Sequence, residues 1–275
     1  MIPVYVSNGA IITRRNGRNW RLIPQIAKQL NADGVEFLMY ESWDGEEKDI
    51  VSLLKNSDLK FPVVHIDKRT GDLLAEFGLK GIDEVKRIVR RDTQTALELG
   101  ATKLVMHLWN GPFSDIRFDE GLKAMSEVLE ITQKAKLVLA VENVASKYSI
   151  CLDHLEKLIN QYSELKLTYD TKMAALHDEN ALVKTPRWSY LFNSVTHLHV
   201  NDTRKADSKD GRLPIMHIGD GEIDFDSFFA FVKASDFNGS ATVESTSVLD
   251  DGNVDTNKLN QSIIRVRKEL NVNLP

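Results

Sequence analysis

The sequence predicts an α/β protein built as one (β/α)8 TIM barrel, a parallel sheet closed on itself inside a ring of helices. Short apolar runs alternate with stretches of helical periodicity, and the pair recurs eight times, which calls for a parallel sheet. The 275 residues suit one such barrel and show no break in composition, so residues 1–275 are expected to form a single domain. The rival is a doubly wound open sheet, which would carry Gly-x-Gly-x-x-Gly after its first strand; none follows here.

The first strand is expected at residues 3–7. A polar segment, 8–19, carries Arg14, Arg15 and Arg18, and Trp20, Ile23, Ala27 and Leu30 then recur at helical spacing. The second strand spans 34–39, a short helix 46–56, and the third strand 61–66. Ile82, Val85, Val89, Ala96 and Leu99 mark a long helix that Gly100 closes, a residue free to adopt the left-handed conformation that ends helices. The fourth strand, 103–107, runs into a turn-rich loop containing Trp109, and Phe118, Leu122, Met125, Leu129 and Thr132 carry the next helix. The fifth strand is the apolar run Leu137-Val138-Leu139-Ala140-Val141, which ends abruptly in Glu142-Asn143. Helix 152–161, strand 165–170, a weaker helical stretch at 174–182 and strand 194–200 follow. The polar loop 203–216 is long for a compact domain, as functional lids often are. Asp224 is placed to cap a helix bearing Phe225, Phe228, Phe229 and Val232. The eighth strand, 240–244, again ends in a carboxylate, and Leu259, Ile263, Val266 and Leu270 form the last amphipathic helix.

In a barrel the C-terminal strand ends converge on one mouth, where active sites lie. Those ends offer Glu36, His65, His107, Glu142, Asp170, His199 and Glu244. A lone acid or histidine at a strand end is ordinarily a cap or a packing residue. Four on successive strands are harder to dismiss: Glu142, Asp170, His199 and Glu244 are expected to ring one divalent cation. Their hard oxygen and imidazole donors suit Mn2+, Mg2+ or Co2+, with Zn2+ also allowed. His197 is expected to point away from His199, into the barrel wall, in a structural role. Cys151 has no paired base nearby in sequence and is given no nucleophilic role.

Composition narrows the partners. A net charge of −5 does not attract DNA without a strongly basic patch, so no nucleic acid is expected. The lone Cys151 cannot form an internal disulfide, which suits a reducing, cytoplasmic setting. No apolar run reaches the ~18 residues of a membrane span, so no membrane partner is expected. Nothing in the sequence excludes a homo-oligomer.

The order Val-Glu-Asn-Val at 141–144, Tyr-Asp-Thr at 169–171, His-Leu-His-Val-Asn-Asp at 197–202, Gly-Asp-Gly-Glu-Ile-Asp-Phe at 219–225 and Val-Glu-Ser at 243–245 resembles the xylose isomerase-like TIM-barrel superfamily. That group includes sugar isomerases and epimerases, inosose dehydratases, hydroxypyruvate isomerases and endonuclease IV. The resemblance covers the whole chain. It implies one metal on Glu142, Asp170, His199 and Glu244, with the two glutamates as acid and base on opposite faces of a small carbohydrate-like substrate. His65 and His107 match positions that bind a second metal in endonuclease IV relatives. A third metal there requires a histidine where this chain has Met173, and an Asp-x-His that the loop carrying Asp207, Asp210 and His217 lacks.

The expected activity is therefore isomerisation or epimerisation of a small sugar, sugar phosphate, polyol or hydroxy-keto acid. The alternatives are dehydration of a similar substrate and phosphodiester cleavage of abasic DNA. His65, His107, Trp109, Asn143, Arg204 and His217 are the expected substrate contacts, and Arg204, Lys172, Arg212 and Lys205 the cations available for a phosphate or carboxylate.

Overall fold

Eight parallel strands pair in chain order, and the eighth returns to the first, Val4 lying opposite Ala241. They are β1 (Val4–Ser7), β2 (Val35–Leu38), β3 (Val63–His65), β4 (Lys103–Met106), β5 (Val138–Glu142), β6 (Lys166–Asp170), β7 (Val195–Val200) and β8 (Ser240–Val243). The computed structural model describes residues 1–177, 185–207 and 213–271. Asp210, Arg212 and the end of the helical stretch expected at 174–182 lie outside the described residues.

Alternation along each strand sorts the side chains between two environments. Val4, Val6, Phe37, Val64, Leu104, Met106, Leu139, Val141, Leu167, Tyr169, Leu198 and Val243 face outward and join the helices in the main apolar core. The lumen holds a small separate apolar cluster, Tyr5, Val63 and Val105, together with buried polar groups such as Glu36, His197 and Thr242. Hydrogen bonds cross it: His197 of β7 donates to Glu36 of β2, and Lys103 of β4 donates to Ser240 of β8. His197 therefore shares the interior with His199 instead of pointing into the wall. Residues two apart on a strand face the same way, and the ring centroids of this pair are 5.2 Å apart. Its structural role stands: its nitrogens meet Ser240, Thr242 and Glu36.

Most helices fall where periodicity places them, including α5 (Ile82–Leu99), α6 (Phe118–Lys134), α7 (Cys151–Gln161), α10 (Phe225–Ala234) and α11 (Thr256–Asn271). Gly100 ends α5 at φ 75°, and Asp224 caps α10 by accepting from the Ser227 N–H. The earlier helices are α1 (Asn8–Ile11), α2 (Leu22–Ala27), α3 (Glu47–Lys55) and α4 (Arg69–Phe77), and α8 (Thr171–Leu176) and α9 (Pro186–Phe192) precede β7. The periodic pattern does not show α1, α4 or α9. Gly71 weakens the helical signal of α4, yet a Cβ there would press to 3.0 Å on the His107 carbonyl. Among the described residues no helix is long and apolar enough to cross a membrane.

Candidate active site at the barrel mouth

Glu142 ends β5, and the structure gathers donors around it. The Glu142 Oε2 lies 3.0 Å from His107 Nε2, 3.3 Å from His65 Nε2 and 3.2 Å from His199 Nδ1. Asn143 fixes the neighbouring strand end: its amide donates to the Asp170 carbonyl (3.1 Å) and accepts from the Asp170 N–H (2.6 Å). A register shift between Leu167 and Thr168 brings Asp170 opposite His199. A one-residue slip would otherwise turn that carboxylate to the other face.

Potential ligand atoms of Glu142, Asp170 and His199 all lie within 4.8 Å of one another, as do those of His65, His107 and Glu142. Glu244 Oε2 stands 3.7 Å from His199 Nδ1. The side chain of Glu244 is 16% exposed against 2% for Glu142, so it is the member of the set that meets the open mouth.

Tautomers decide what this cluster can hold. The Ile66 carbonyl can only accept, so His65 Nδ1, at 2.7 Å, carries its hydrogen and Nε2 turns a lone pair toward Glu142. His199 repeats the arrangement: Nε2 donates to Glu36 Oε1 at 3.0 Å, and Nδ1 is buried without a hydrogen-bond partner. Burial alone would raise the Glu36 carboxyl, but His199 and His197 outweigh it and keep Glu36 ionised, well below the usual range. Lone pairs aimed at a carboxylate repel it unless a proton or a cation lies between them. The donor set therefore fits a divalent cation.

The electrostatics express the same demand for positive charge. Burial would lower His199, yet Glu244, Glu36 and Glu142 raise it well above an ordinary imidazole. Burial, with Glu142 and Glu244 adding to it and Lys172 opposing, pushes Asp170 up to about 6. Glu142 would rise on burial, but His107 and His199 hold it well below the usual carboxylate range. Burial pushes His107 down to about 3, so it stays neutral and able to ligate.

Three participants escaped sequence reasoning in their actual roles. Glu36 lies below the mouth and orients His199 from behind. Asn201 spans two carboxylates, its amide donating to Asp170 Oδ2 (3.2 Å) and Glu244 Oε2 (3.3 Å); it sits two residues past His199, so alternation alone could have found it. Lys68, partly buried after β3, has no carboxylate within 4.0 Å among the described residues. Burial would lower its ammonium, but Glu142, Glu244, Tyr40 and Asp170 outweigh that and raise it.

His65 and His107 both line the mouth against Glu142. The structure occupies the other expected substrate contacts elsewhere. Asn143 spends its amide on the Asp170 backbone. Trp109 packs on Phe118 and His154 and donates to the Ala145 carbonyl at 3.1 Å. His217 meets Ser262 at 3.0 Å and Ser247 at 3.3 Å, and Arg204 pairs with Asp207 and the Asp220 carbonyl at the surface.

A family model described as xylose isomerase-like TIM barrel matches residues 24–264. The chain belongs to that family. Solved structures share the fold at low identity. A D-tagatose 3-epimerase-like protein aligns at 18% identity and TM-score 0.70 over 98% of this chain and 99% of that one. D-allulose 3-epimerase from Methylomonas sp. in complex with D-allulose aligns at 16% and 0.73, over 98% and 96%. The IOLI protein with a binding zinc atom aligns at 14% and 0.75, over 98% of both chains. No curated protein matches the chain.

Proposed function

We propose that this family member is a divalent-metal-dependent isomerase or epimerase of a small carbohydrate, moving a proton between substrate and two glutamates, Glu142 and Glu244. One observation carries the reading: His199 Nδ1 lies 3.2 Å from the buried Glu142 and 3.7 Å from the mouth-facing Glu244, so two carboxylates meet at one point from β5 and β8. The epimerase neighbours and the zinc in the IOLI protein support it.

A carbon-bound proton beside a carbonyl is too weakly acidic for a carboxylate unaided. Glu142, Asp170, His199 and Glu244 would hold a divalent ion, one of Mn2+, Mg2+, Co2+ or Zn2+, which would supply Lewis-acid stabilisation of the charge that develops on the substrate oxygens. The chain supplies the proton transfers. Glu142 is held ionised, the form required of a base, and Glu244 faces the open mouth. One glutamate removes the proton, and the other returns it to the opposite face or to the adjacent carbon. Asn201 holds Asp170 and Glu244 in place, and Glu36 keeps His199 turned with its Nδ1 lone pair inward.

Glu142→Gln and Glu244→Gln keep size and a carbonyl oxygen but cannot take a proton at neutral pH. Each is expected to cut turnover by about 10²–10⁴ and to abolish uptake of solvent deuterium at the substrate carbon. Exchange at the wild-type rate in either variant reduces that glutamate to a ligand. The His65–His107–Glu142 cluster favours the phosphodiesterase reading as the alternative. Steady incision of abasic DNA, lost in Glu244→Gln, would establish it over the epimerase.

A further inference from the structure

The metal-side carboxylates come from β5, β6 and β8, and a group of cations lies in the loop after β1, the strand that pairs with β8. A cavity of about 380 Å³ is lined by Arg14, Arg15 and Arg18 after β1, Gly9 above β1, Tyr40 after β2 and Thr246, two residues beyond Glu244. The loop that carries the arginines is built to aim them. Thr13 and Asn16 form a reciprocal cap, the Thr13 N–H donating to Asn16 Oδ1 at 2.8 Å and the Arg15 N–H to Thr13 Oγ1 at 3.2 Å. Gly17 is left-handed at φ 69°, and Arg18 follows it into the same region at φ 48°. For a non-glycine residue that conformation is strained and persists where surrounding contacts over-determine it. Those contacts are present: the Arg18 carbonyl accepts from Trp43 Nε1 at 2.8 Å, and its guanidinium lies 4.4 Å over the Tyr40 ring.

Arg15 is committed to β8's loop, bonded to the Val248 carbonyl and paired with Asp250. Arg14 and Arg18 have no carboxylate within 4.0 Å among the described residues, in a chain whose net charge is −5. Lys68, after β3, is within electrostatic reach of Tyr40, which lines this cavity, and of Glu142 and Glu244. A carboxylate-rich reaction centre beside guanidinium groups that no carboxylate neutralises suits an elongated molecule with a ketone at one end and an anion at the other.

We infer that the substrate is an anionic ketose, its phosphate or carboxylate held by Arg14 and Arg18 while its carbonyl end meets Glu142 and Glu244. This rests on the isomerase or epimerase reading and names its substrate class. It moves the anion site from the Arg204 side of the mouth to the β1–β2 side.

The test compares solvent deuterium uptake by D-ribulose, D-ribulose 5-phosphate and 5-keto-D-gluconate on the metal-loaded protein, for wild type, Arg14→Gln and Arg18→Asn; asparagine tolerates the left-handed backbone. At least one anionic ketose is expected to exceed the neutral one by tenfold or more in kcat/KM, and which one does separates phosphate from carboxylate. Each variant is expected to lower that ratio about tenfold, the size of one charge-assisted hydrogen bond. Equal rates for neutral and anionic ketoses, or a ratio within twofold of wild type in both variants, overturns the inference. Inorganic phosphate, followed by 31P line broadening on the magnesium-loaded protein, keeps the two readings apart. Phosphate that binds wild type and is weakened in both variants, with no exchange into any ketose, supports the anion site and refutes the epimerase. Phosphate binding that is indifferent to both variants refutes the anion site, because phosphate held only at the metal would ignore Arg14 and Arg18.

Discussion

Glu36 is the most informative residue to change, because it touches the proposed metal only through His199. Its two oxygens accept from His197 Nε2 at 2.8 Å and His199 Nε2 at 3.0 Å, and it is 1% exposed. Glutamine offers one acceptor and one donor in the same place. The amide can keep its carbonyl toward His199 if His197 changes tautomer, and His197 can do so because Ser240 Oγ, 2.7 Å from its Nδ1, will accept as well as donate. Glu36→Gln thus removes a charge behind His199 and leaves its lone pair directed at the site. Glu36→Leu removes the acceptor as well, freeing His199 to carry its hydrogen on Nδ1, where it opposes a cation. Outer hydrogen-bond partners of metal-binding histidines are typically worth 10–100-fold in affinity. The expected losses are about tenfold for glutamine and about 100-fold for leucine, or about 1.4 and 2.7 kcal/mol. Competition with a chromophoric chelator measures them, and the melting temperature of the metal-free proteins separates lost affinity from lost folding. Metal affinity within twofold of wild type in both variants would show that His199 is not a ligand through Nδ1.

Three further outcomes follow from the geometry. Asp170→Asn, a ligand with no proton to move, is expected to lose metal and turnover together and to recover part of the rate in excess metal; metal content and rate measured across a Mn2+ titration check this. Asp115 is buried, which alone would raise it, but His154 and the N–H groups of Lys147 and Tyr148 lower it from 3.8 to about 2. A carboxyl lower in the folded state stabilises fully above the unfolded value and loses that contribution as the pH falls toward 2, so Asp115 supplies about 2 kcal/mol at pH 7. Urea midpoints should separate Asp115→Asn from wild type at pH 7 and converge near pH 2, and a constant gap would refute the assignment. At Gly221 an added Cβ would collide with Asp202 Oδ1 and the Thr203 carbonyl. Gly221→Ala should therefore destabilise by about 1–3 kcal/mol. It would disturb the turn that Asp202 organises through the N–H groups of Gly219, Gly221 and Ile223. A change under 0.5 kcal/mol in chemical denaturation would count against that role.

The sequence by itself determined the barrel, because the two periodicities are local: outward Val, Leu and Phe alternate with lumen residues along each strand, and helical repeats fill the intervals. It also marked Glu142, Asp170, His199 and Glu244, since an apolar run that ends in a carboxylate or imidazole leaves that group at the mouth. Tertiary structure alone decided which hydrogen bonds those groups make. The shift between Leu167 and Thr168 that aligns Asp170 with His199 has no signature in either strand. The pairing of Glu36 with His197 and His199 spans more than 160 residues. Trp109 and His217 look like mouth residues in the chain, yet their partners Phe118, His154, Ser247 and Ser262 claim them once helices pack on the barrel. Gly71 weakens α4 locally and is still required there, because the helix must pass against the His107 backbone. Periodicity reports which face of an element is buried, but a proton's position or a cation's partner depends on atoms that only folding brings within 3 Å.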